Sequence, residues 1–218
     1  MDIKEQKLKW MDGWIHHHLL AQHLSRDQGV GDLGHLELSG VTNDGTRFMS
    51  VVQNKAVITE QSLDPYLTWE IPEPWSMEDA ATVPLAYATA YHGMIQAAEL
   101  SSFETVLIHA GHTSIGQAAI ALALHKGSTV FTTVAESNHK ELLIKRFPQL
   151  QENNILSQKS NFDISLMRAT KGVGVKVIVN CLRGSKLQSS LQCVAECGRF
   201  VQLGTADMEE NTSIGKSL

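Results

Sequence analysis

The chain has 218 residues, of which 43% are hydrophobic and 19% are charged. This balance is typical of a folded globular protein with one domain, or with one domain and part of another. The net charge of −5 gives no electrostatic reason to expect DNA or an anionic membrane as a partner. No apolar run approaches the roughly 20 residues that span a bilayer, and the charged N-terminus is unlike a secretory signal. We therefore expect a cytoplasmic protein.

Short strand-like runs broken by turn residues fill the first part of the chain. The sequence Asn-Asp-Gly at 43–45 lies between two such runs and predicts a β-hairpin. The region therefore reads as a small β-rich segment after a poorly defined leader. Its predicted strands cover 35–41, 47–53, 56–59 and 66–71.

From Trp75 onward, apolar strands alternate with helices. Ser76 and Asp79 form a predicted capping box at the start, and Ser137 is the predicted N-cap of a later helix. Continuous apolar strands that are each followed by a helix require a parallel sheet covered on both faces. The sequence thus predicts an α/β, doubly wound sheet that lacks its last βαβ unit. The predicted strands are 105–110, 129–134, 154–156, 176–180 and 198–203, and the helices are 83–98, 115–125, 137–146, 162–170 and 186–193.

The segment after the first of these parallel strands has the character of a phosphate-binding loop. A strand, a tight turn and a helix start bring backbone N–H groups and the positive end of a helix dipole together. Such loops use three glycines. Gly111 and Gly116 fit the first and last roles, whereas Thr113 stands in the middle, where its bulk could obstruct a ligand or its hydroxyl, like that of Ser114, could meet a phosphate. Either a modified dinucleotide site or a turn that binds nothing fits this loop.

An acidic residue follows the second parallel strand. Glu136 stands where a carboxylate can bind the adenosine ribose, which favours NAD over NADP. His139 and Lys140 lie one helical turn further and could serve a phosphate instead. In the alternative interpretation, Glu136 and Lys140 form an i, i+4 ion pair on a solvated helix end.

Neither the cysteines nor the N-terminal histidines predict a metal site. Cys181, Cys193 and Cys197 lack paired CxxC spacing, so we expect reduced thiols, with Cys193 and Cys197 buried. The histidines at 16–18 and His23 have no surrounding set of Asp, Glu or Cys, and adjacent rings rarely converge on one ion.

The chain resembles the enoyl reductase module of animal fatty acid synthases, a zinc-free branch of the medium-chain dehydrogenase/reductases. The resemblance runs from about Leu33 to Gly215. It is carried by LELSGVTNDGTRFM, WEIPEPWSMEDAATVPLAYATAYHGM, ETVLIHAG, IGQAAIALAL, KGVGVKVIVNCL and KLQSSLQCVAECGRFVQLG.

The resemblance implies a partial GroES-like segment over residues 1–74 and a Rossmann-type dinucleotide-binding domain over 75–218. It implies hydride transfer from NADPH to the β-carbon of a trans-2-enoyl thioester carried by an acyl carrier protein, alongside other fatty acid synthase domains. A homodimer is compatible with it. Thr89 and Tyr91 match the family and would border the nicotinamide pocket.

Several positions depart from the family pattern. The family loop Gly-Ser-Gly-Gly-Val-Gly is Gly-His-Thr-Ser-Ile-Gly at 111–116, where Gly111, His112, Thr113, Ser114, Ile115 and Gly116 would bind the cofactor. Glu136 replaces one residue of a small Gly-Ser pair, and His139-Lys140 replace a Lys-Arg pair for the 2′-phosphate. After Gly204 the chain has Thr205 where the family has a lysine that is a proposed proton donor, and the family's aspartate partner has no counterpart within the 218 residues.

These departures predict impaired catalysis and leave three functions open. The first is an enoyl-reductase-like oxidoreductase that uses NADPH, or NADH because of Glu136, with binding weakened or lost. The second is a non-catalytic remnant or fragment of a fatty acid synthase that serves as a scaffold or carrier-docking module. The third is a quinone or carbonyl reductase, which shares the fold.

Overall fold

The computed structural model describes residues 35–55 and 63–204, and the chain divides into two compact units between Ala86 and Tyr87. Within these described ranges, no helix is long and apolar enough to cross a membrane. The predicted strand at 56–59, the N-terminal histidines and Thr205 lie outside the described residues. The domain boundary predicted after residue 74 stays a prediction.

The first unit contains a three-stranded antiparallel sheet in the order β1-β2-β3. The hairpin predicted at 43–45 is confirmed, because β1 and β2 pair on either side of it. Gly45 has φ +90 there, a left-handed conformation that glycine adopts without strain. The strands are β1 (His35–Val41), β2 (Arg47–Lys55) and β3 (Thr68–Glu70).

The third strand is shorter than the predicted one at 66–71. Pro65–Leu67 form a 3-10 turn before it. The Asp64 side chain accepts a hydrogen bond from the Tyr66 amide at 2.8 Å, and proline suits the first position of such a turn. The local cap therefore overrides the strand propensity of these residues.

The predicted capping box is confirmed at the start of α1 (Met77–Ala80), where Ser76 and Asp79 bond each other's backbone. The helix predicted over 83–98 is only partly regular. It consists of α2 (Pro84–Tyr91) and a π-helical segment, His92–Ala97. A π-helical turn is a known way for a helix to absorb extra residues, and it is frequent at functional sites.

The second unit is built on a parallel five-stranded sheet in the order β6-β5-β4-β7-β8. This order extends to both sides of β4, so the predicted doubly wound α/β fold is confirmed. Ligands of such sheets bind at the carboxyl ends of the strands beside the central switch point. The strands are β4 (Thr105–Ile108), β5 (Thr129–Val134), β6 (Ile155–Ser157), β7 (Val175–Asn180) and β8 (Val194–Gln202), and the helices are α3 (Ser114–His125), α4 (Ser137–Arg146), α5 (Phe162–Ala169) and α6 (Gly184–Gln192).

The two central strands form the core of this unit. Val106, Leu107 and Ile108 of β4 and Val177 and Ile178 of β7 are all 0% exposed. Consecutive buried residues mean that both faces of the sheet are covered, as the unbroken apolar runs predicted. This buried pair of strands gives the loops at its carboxyl end a rigid base.

Some strand ends differ from the predicted ones. β4 stops at Ile108, and two residues later Ala110 takes φ +51, a left-handed angle outside the regular strand region. β8 begins at Val194, four residues before the prediction, because a register shift lets a bulge join the sheet. Cys197 lies in that bulge with φ +56 and is exposed, so its predicted burial is wrong, whereas Cys193 is buried as predicted.

The starts of two helices and of one short strand also differ from the predicted positions. Glu136, and not Ser137, is the N-cap of α4, and its side chain makes no capping hydrogen bond. β6 begins at Ile155 because Asn154 closes a 3-10 turn, from which its Nδ2 donates to the Val130 carbonyl at 3.1 Å. α6 begins at Gly184, two residues before the prediction.

Candidate functional site

The loop between β4 and α3 leaves no room for a side chain at Gly111. Its amide donates to the Thr133 carbonyl at 3.0 Å, so the loop runs directly over the end of β5. A Cβ at Gly111 would collide with the Thr132 hydroxyl and lie 3.0 Å from Cδ1 of Ile120. Gly111 is thus the turn glycine that the sequence predicts.

Gly116 fills the last glycine role in the first turn of α3. A Cβ there would collide with the Ala110 carbonyl oxygen and lie 2.7 Å from the Gly111 Cα. Helix and loop backbones therefore touch at this residue. This close contact sets the position of the α3 N-terminus relative to β4.

Thr113 replaces the middle glycine without projecting its hydroxyl outward. It is the N-cap of α3, and its Oγ1 accepts from the Gly116 amide at 3.1 Å and donates to the Ala110 carbonyl at 2.8 Å. The hydroxyl is thus committed to the loop's own backbone, in contrast to the expectation that it could meet a phosphate. The side chain stabilises the turn through an N-cap bond.

The first amides of α3 form the part of the loop that can receive an anion. Ser114 and Ile115 are the first two residues of a 12-residue helix, and the first amides of a helix have no partner within it. Of these first amides, the Thr113 side chain accepts a hydrogen bond only from that of Gly116. The helix N-terminus and its tight glycine turn therefore fit a diphosphate of a dinucleotide.

We expect Thr113→Val to lower the free energy of unfolding by about 1 kcal/mol, because valine keeps the shape and loses the N-cap bond. Thr113→Ser keeps the hydroxyl, so its stability should remain near that of the unchanged chain. Urea denaturation of the two variants makes the comparison. Equal stabilities would mean that the hydroxyl contributes nothing as a cap.

The acidic residue predicted to meet a ribose lies at the carboxyl end of β5. Glu136 is exposed there as the N-cap of α4. Lys140 pairs with Glu152, Nζ to Oε1 at 3.1 Å. The alternative interpretation, a Glu136–Lys140 pair, is therefore wrong, and the Glu136 carboxylate and the Lys140 ammonium have separate surroundings.

Two histidines that the sequence predicted separately lie face to face. The rings of His112, in the loop, and His139, in the first turn of α4, have centroids 3.8 Å apart and planes within 4°. The Nδ1 atoms of both are enclosed and have no hydrogen-bond partner among the described residues. Burial is the main cause that lowers the pKa of His112; His139 lowers it further and Glu136 raises it. The sequence carries no sign of this stack.

A third histidine, which the sequence analysis did not single out, is buried beneath the loop. The Ser190 hydroxyl donates to the Lys186 carbonyl at 2.8 Å, so it accepts from His109 Nε2, also at 2.8 Å. Nδ1 of His109 therefore accepts from the Thr133 hydroxyl at 3.0 Å. That hydroxyl in turn accepts from the Ala110 amide at 3.2 Å. Burial lowers the pKa of His109 to about 3, so the ring is neutral.

The remaining predicted residues border other parts of the same unit. Gly204 follows β8 at the carboxyl edge of the sheet, and Thr89 is half-buried on α2. At the end of β7, Asn180 is 0% exposed, and its Oδ1 has no hydrogen-bond partner within the described ranges. Among the described residues, no group of three His, Cys, Asp or Glu side chains could hold a metal ion.

Comparisons with known proteins give a consistent result. A family model described as zinc-binding dehydrogenase matches residues 114–218. Squalestatin tetraketide synthase clz2 of Cochliobolus lunatus is 42% identical over 141 residues, which are 65% of this chain and 6% of that synthase. The chain therefore spans a small fraction of the length of this curated relative.

Solved structures of enoyl reductases share the architecture. The crystal structure of CurK enoyl reductase is 26% identical with a TM-score of 0.72, over 80% of this chain and 55% of that one. The nucleotide-binding subdomain of the enoylreductase domain of PpsC from Mycobacterium tuberculosis is 32% identical with a TM-score of 0.55, over 60% of this chain and 72% of that one.

Proposed function

Because the chain belongs to the enoyl reductase domains of the medium-chain dehydrogenase/reductase superfamily, we propose that it reduces the double bond of a trans-2-enoyl thioester with NADPH or NADH. The observation that supports this most directly is the loop at 111–116. Its glycine contacts are those of a dinucleotide loop, and its one intruding side chain, Thr113, bonds the loop itself.

The proposed setting is a multidomain reducing synthase. The matched relatives include fungal synthases named for polyketide products. The sequence motifs, in contrast, were interpreted as resembling animal fatty acid synthases. Both settings deliver the substrate on an acyl carrier protein, and we propose such a carrier as the partner. The fatty acid synthase setting, the homodimer and the cytoplasmic location stay predictions.

The residues of this chain would hold and orient the reactants. The amides of Ser114 and Ile115 would bind the diphosphate at the α3 N-terminus, Glu136 and His139 would border the adenosine ribose, and Thr89 would border the nicotinamide. When bound, the reduced nicotinamide supplies the hydride that goes to the β-carbon of the enoyl group.

The α-carbon then needs a proton, and the resemblance places Thr205 where the family has a lysine. A threonine hydroxyl is no substitute for an ammonium group as an acid at neutral pH. We propose that water supplies this proton and becomes hydroxide. A positioned side-chain acid is worth roughly 10²–10⁴-fold in rate, so turnover should be slow.

Fluorescence titration of the purified chain with NADPH and NADH tests the binding part of this proposal. We expect at least one of them to bind with a dissociation constant below about 1 mM, the upper end of ordinary Michaelis constants. Binding of neither would reject the oxidoreductase and favour a non-catalytic carrier-docking module.

Substitution of Thr205 tests the catalytic part. Thr205→Lys should raise turnover of a crotonyl thioester by roughly 10²-fold, because it restores a side-chain acid. Thr205→Met is the matched control, since it has a similar length and no ammonium group. An equal rate in both variants would contradict the assigned role of this position.

A further inference from the structure

The enoyl reductase function does not require the stack of His112 on His139. This stack joins the phosphate loop to the first turn of α4, next to Glu136, where the adenosine ribose of a dinucleotide lies in this fold. Nδ1 of each ring is enclosed and has no hydrogen-bond partner among the described residues. A polar atom that is enclosed without a partner destabilises the protein unless a ligand or a different ring placement satisfies it.

We propose that the His112–His139 stack is a proton-dependent binding element for a phosphomonoester, and that it selects dinucleotides carrying a 2′-phosphate as the pH falls. This inference rests on the proposed function, because it assumes that a dinucleotide occupies the loop. It adds a pH-dependent choice between NADPH and NADH.

Geometry favours an anion beside these two rings. Their planes are within 4° of parallel, so a half-turn of either ring about its Cβ–Cγ bond exchanges the Nδ1 and Cδ2 positions and keeps the stack. Such a half-turn is a common alternative placement of a histidine ring. It would put a carbon atom in the enclosed position that Nδ1 now holds, and a protonated imidazole donates through both ring nitrogens.

The charges around the rings explain why the effect should depend on pH. Two imidazolium ions at this distance repel each other, and His139 accordingly opposes protonation of His112, as burial does. Among the described residues, the Glu136 carboxylate favours His112 protonation. Lys140, the next charge along α4, is engaged by Glu152. A dianionic phosphate would offset the repulsion between the rings, so its binding should draw protons onto the pair.

Without such protons, the negative charge of Glu136 is not offset, and it disfavours binding of a 2′-phosphate. With no charge on the His112 ring to offset it, the carboxylate lies alone beside the ribose, and NADH is the preferred ligand. The phosphate itself titrates near pH 6. The preference for NADPH should therefore rise as the pH falls toward this value and level off below it.

The experiment measures the dissociation constants of NADPH and NADH for the full chain by fluorescence, at constant ionic strength, from about pH 8 to about pH 6. We expect the ratio of the NADH constant to the NADPH constant to rise by roughly fivefold to tenfold over this range, the effect of an average uptake of about half a proton on binding NADPH. Adenosine 2′,5′-bisphosphate should compete more strongly at the lower pH, whereas 5′-AMP and inorganic phosphate should show no such gain.

His139→Phe retains a flat ring for the stack and removes its proton site, so it should abolish the rise of the ratio. His125→Phe is the matched control, because His125 is exposed at the opposite end of α3, and it should keep the rise. Parallel pH profiles for the two dinucleotides, or a rise that persists in His139→Phe, would overturn the inference and leave the proposed function standing. Loss of all dinucleotide binding in the unchanged chain would instead reject the proposed function.

Discussion

Gly116→Ala is expected to lose measurable binding of NADPH and NADH and to lower the free energy of unfolding by about 3 kcal/mol. The added methyl group would collide with the Ala110 carbonyl and stand 2.7 Å from the Gly111 Cα. Both are backbone atoms, which cannot swing aside as a side-chain end does. The α3 N-terminus must therefore move away from β4, and the amides of Ser114 and Ile115 move with it.

Gly172→Ala is a matched control for this substitution. It adds the same methyl group at a position where nothing lies within 4 Å, although φ is +83. We expect it to lower the free energy of unfolding by about 1 kcal/mol, because alanine is strained at positive φ, and to leave dinucleotide affinity unchanged. Urea denaturation and fluorescence titration of both variants measure these effects. Full dinucleotide affinity in Gly116→Ala would contradict the role given to this contact.

The periodicity of the sequence predicted the second unit well because burial on both faces leaves a plain signal. The strand Thr129–Val134 has the predicted bounds, and Val106, Leu107 and Ile108 are fully buried as the unbroken apolar run implied. Element ends were less accurate. They depend on single backbone choices, such as φ +51 at Ala110 and φ +56 at Cys197, and residues other than glycine give little sign of such angles.

Thr113 shows what a comparison with the three-glycine pattern leaves out, namely the direction of the side chain. By comparison with a three-glycine pattern, Thr113 looked like an obstruction. In the structure it adopts the extended N-cap conformation, with φ −75 and ψ 165, a backbone geometry that needs no glycine. The hydroxyl then bonds backward to Ala110 and Gly116. The sequence identified Thr113 as the unusual residue of the loop, but it did not indicate where its side chain would point.

The histidine contacts could not be predicted from the sequence at all. His112 meets His139 through the tertiary arrangement of two successive βα units. His109 meets Ser190 of α6 across a still longer separation in the chain. No short-range pattern encodes such pairs. The hint that was available for His109 is its place at the end of an apolar strand, where a histidine is expected to be buried and paired.

Lowering the pH from about 7 to about 5 is expected to lower the free energy of unfolding by about 2 kcal/mol through His109 alone. Burial holds the pKa of this ring near 3 in the folded chain, against 6.5 for an ordinary histidine. Between these two values the unfolded chain therefore binds a proton at this ring and the folded chain does not. The stabilisation is complete above pH 6.5 and is lost at about 1.4 kcal/mol per pH unit as the pH falls toward 3.

His109→Gln isolates this contribution, because glutamine can donate and accept hydrogen bonds and does not titrate. The variant should be less stable at neutral pH, since Thr133 and Ser190 are rebonded imperfectly, and its stability should fall less steeply with acid than that of the unchanged chain. His125→Gln removes an exposed imidazole and should keep the full slope.

The His109 ring is also linked to the phosphate loop. Because the Thr133 hydroxyl accepts a hydrogen bond from the Ala110 amide, protonation of His109 would remove an acceptor from the network that holds the loop. In the folded chain this protonation occurs only as the pH approaches 3, so dinucleotide affinity should hold at pH 5 while stability falls. Equal slopes in the unchanged chain and His109→Gln would show that His109 is not the neutral group beneath the loop.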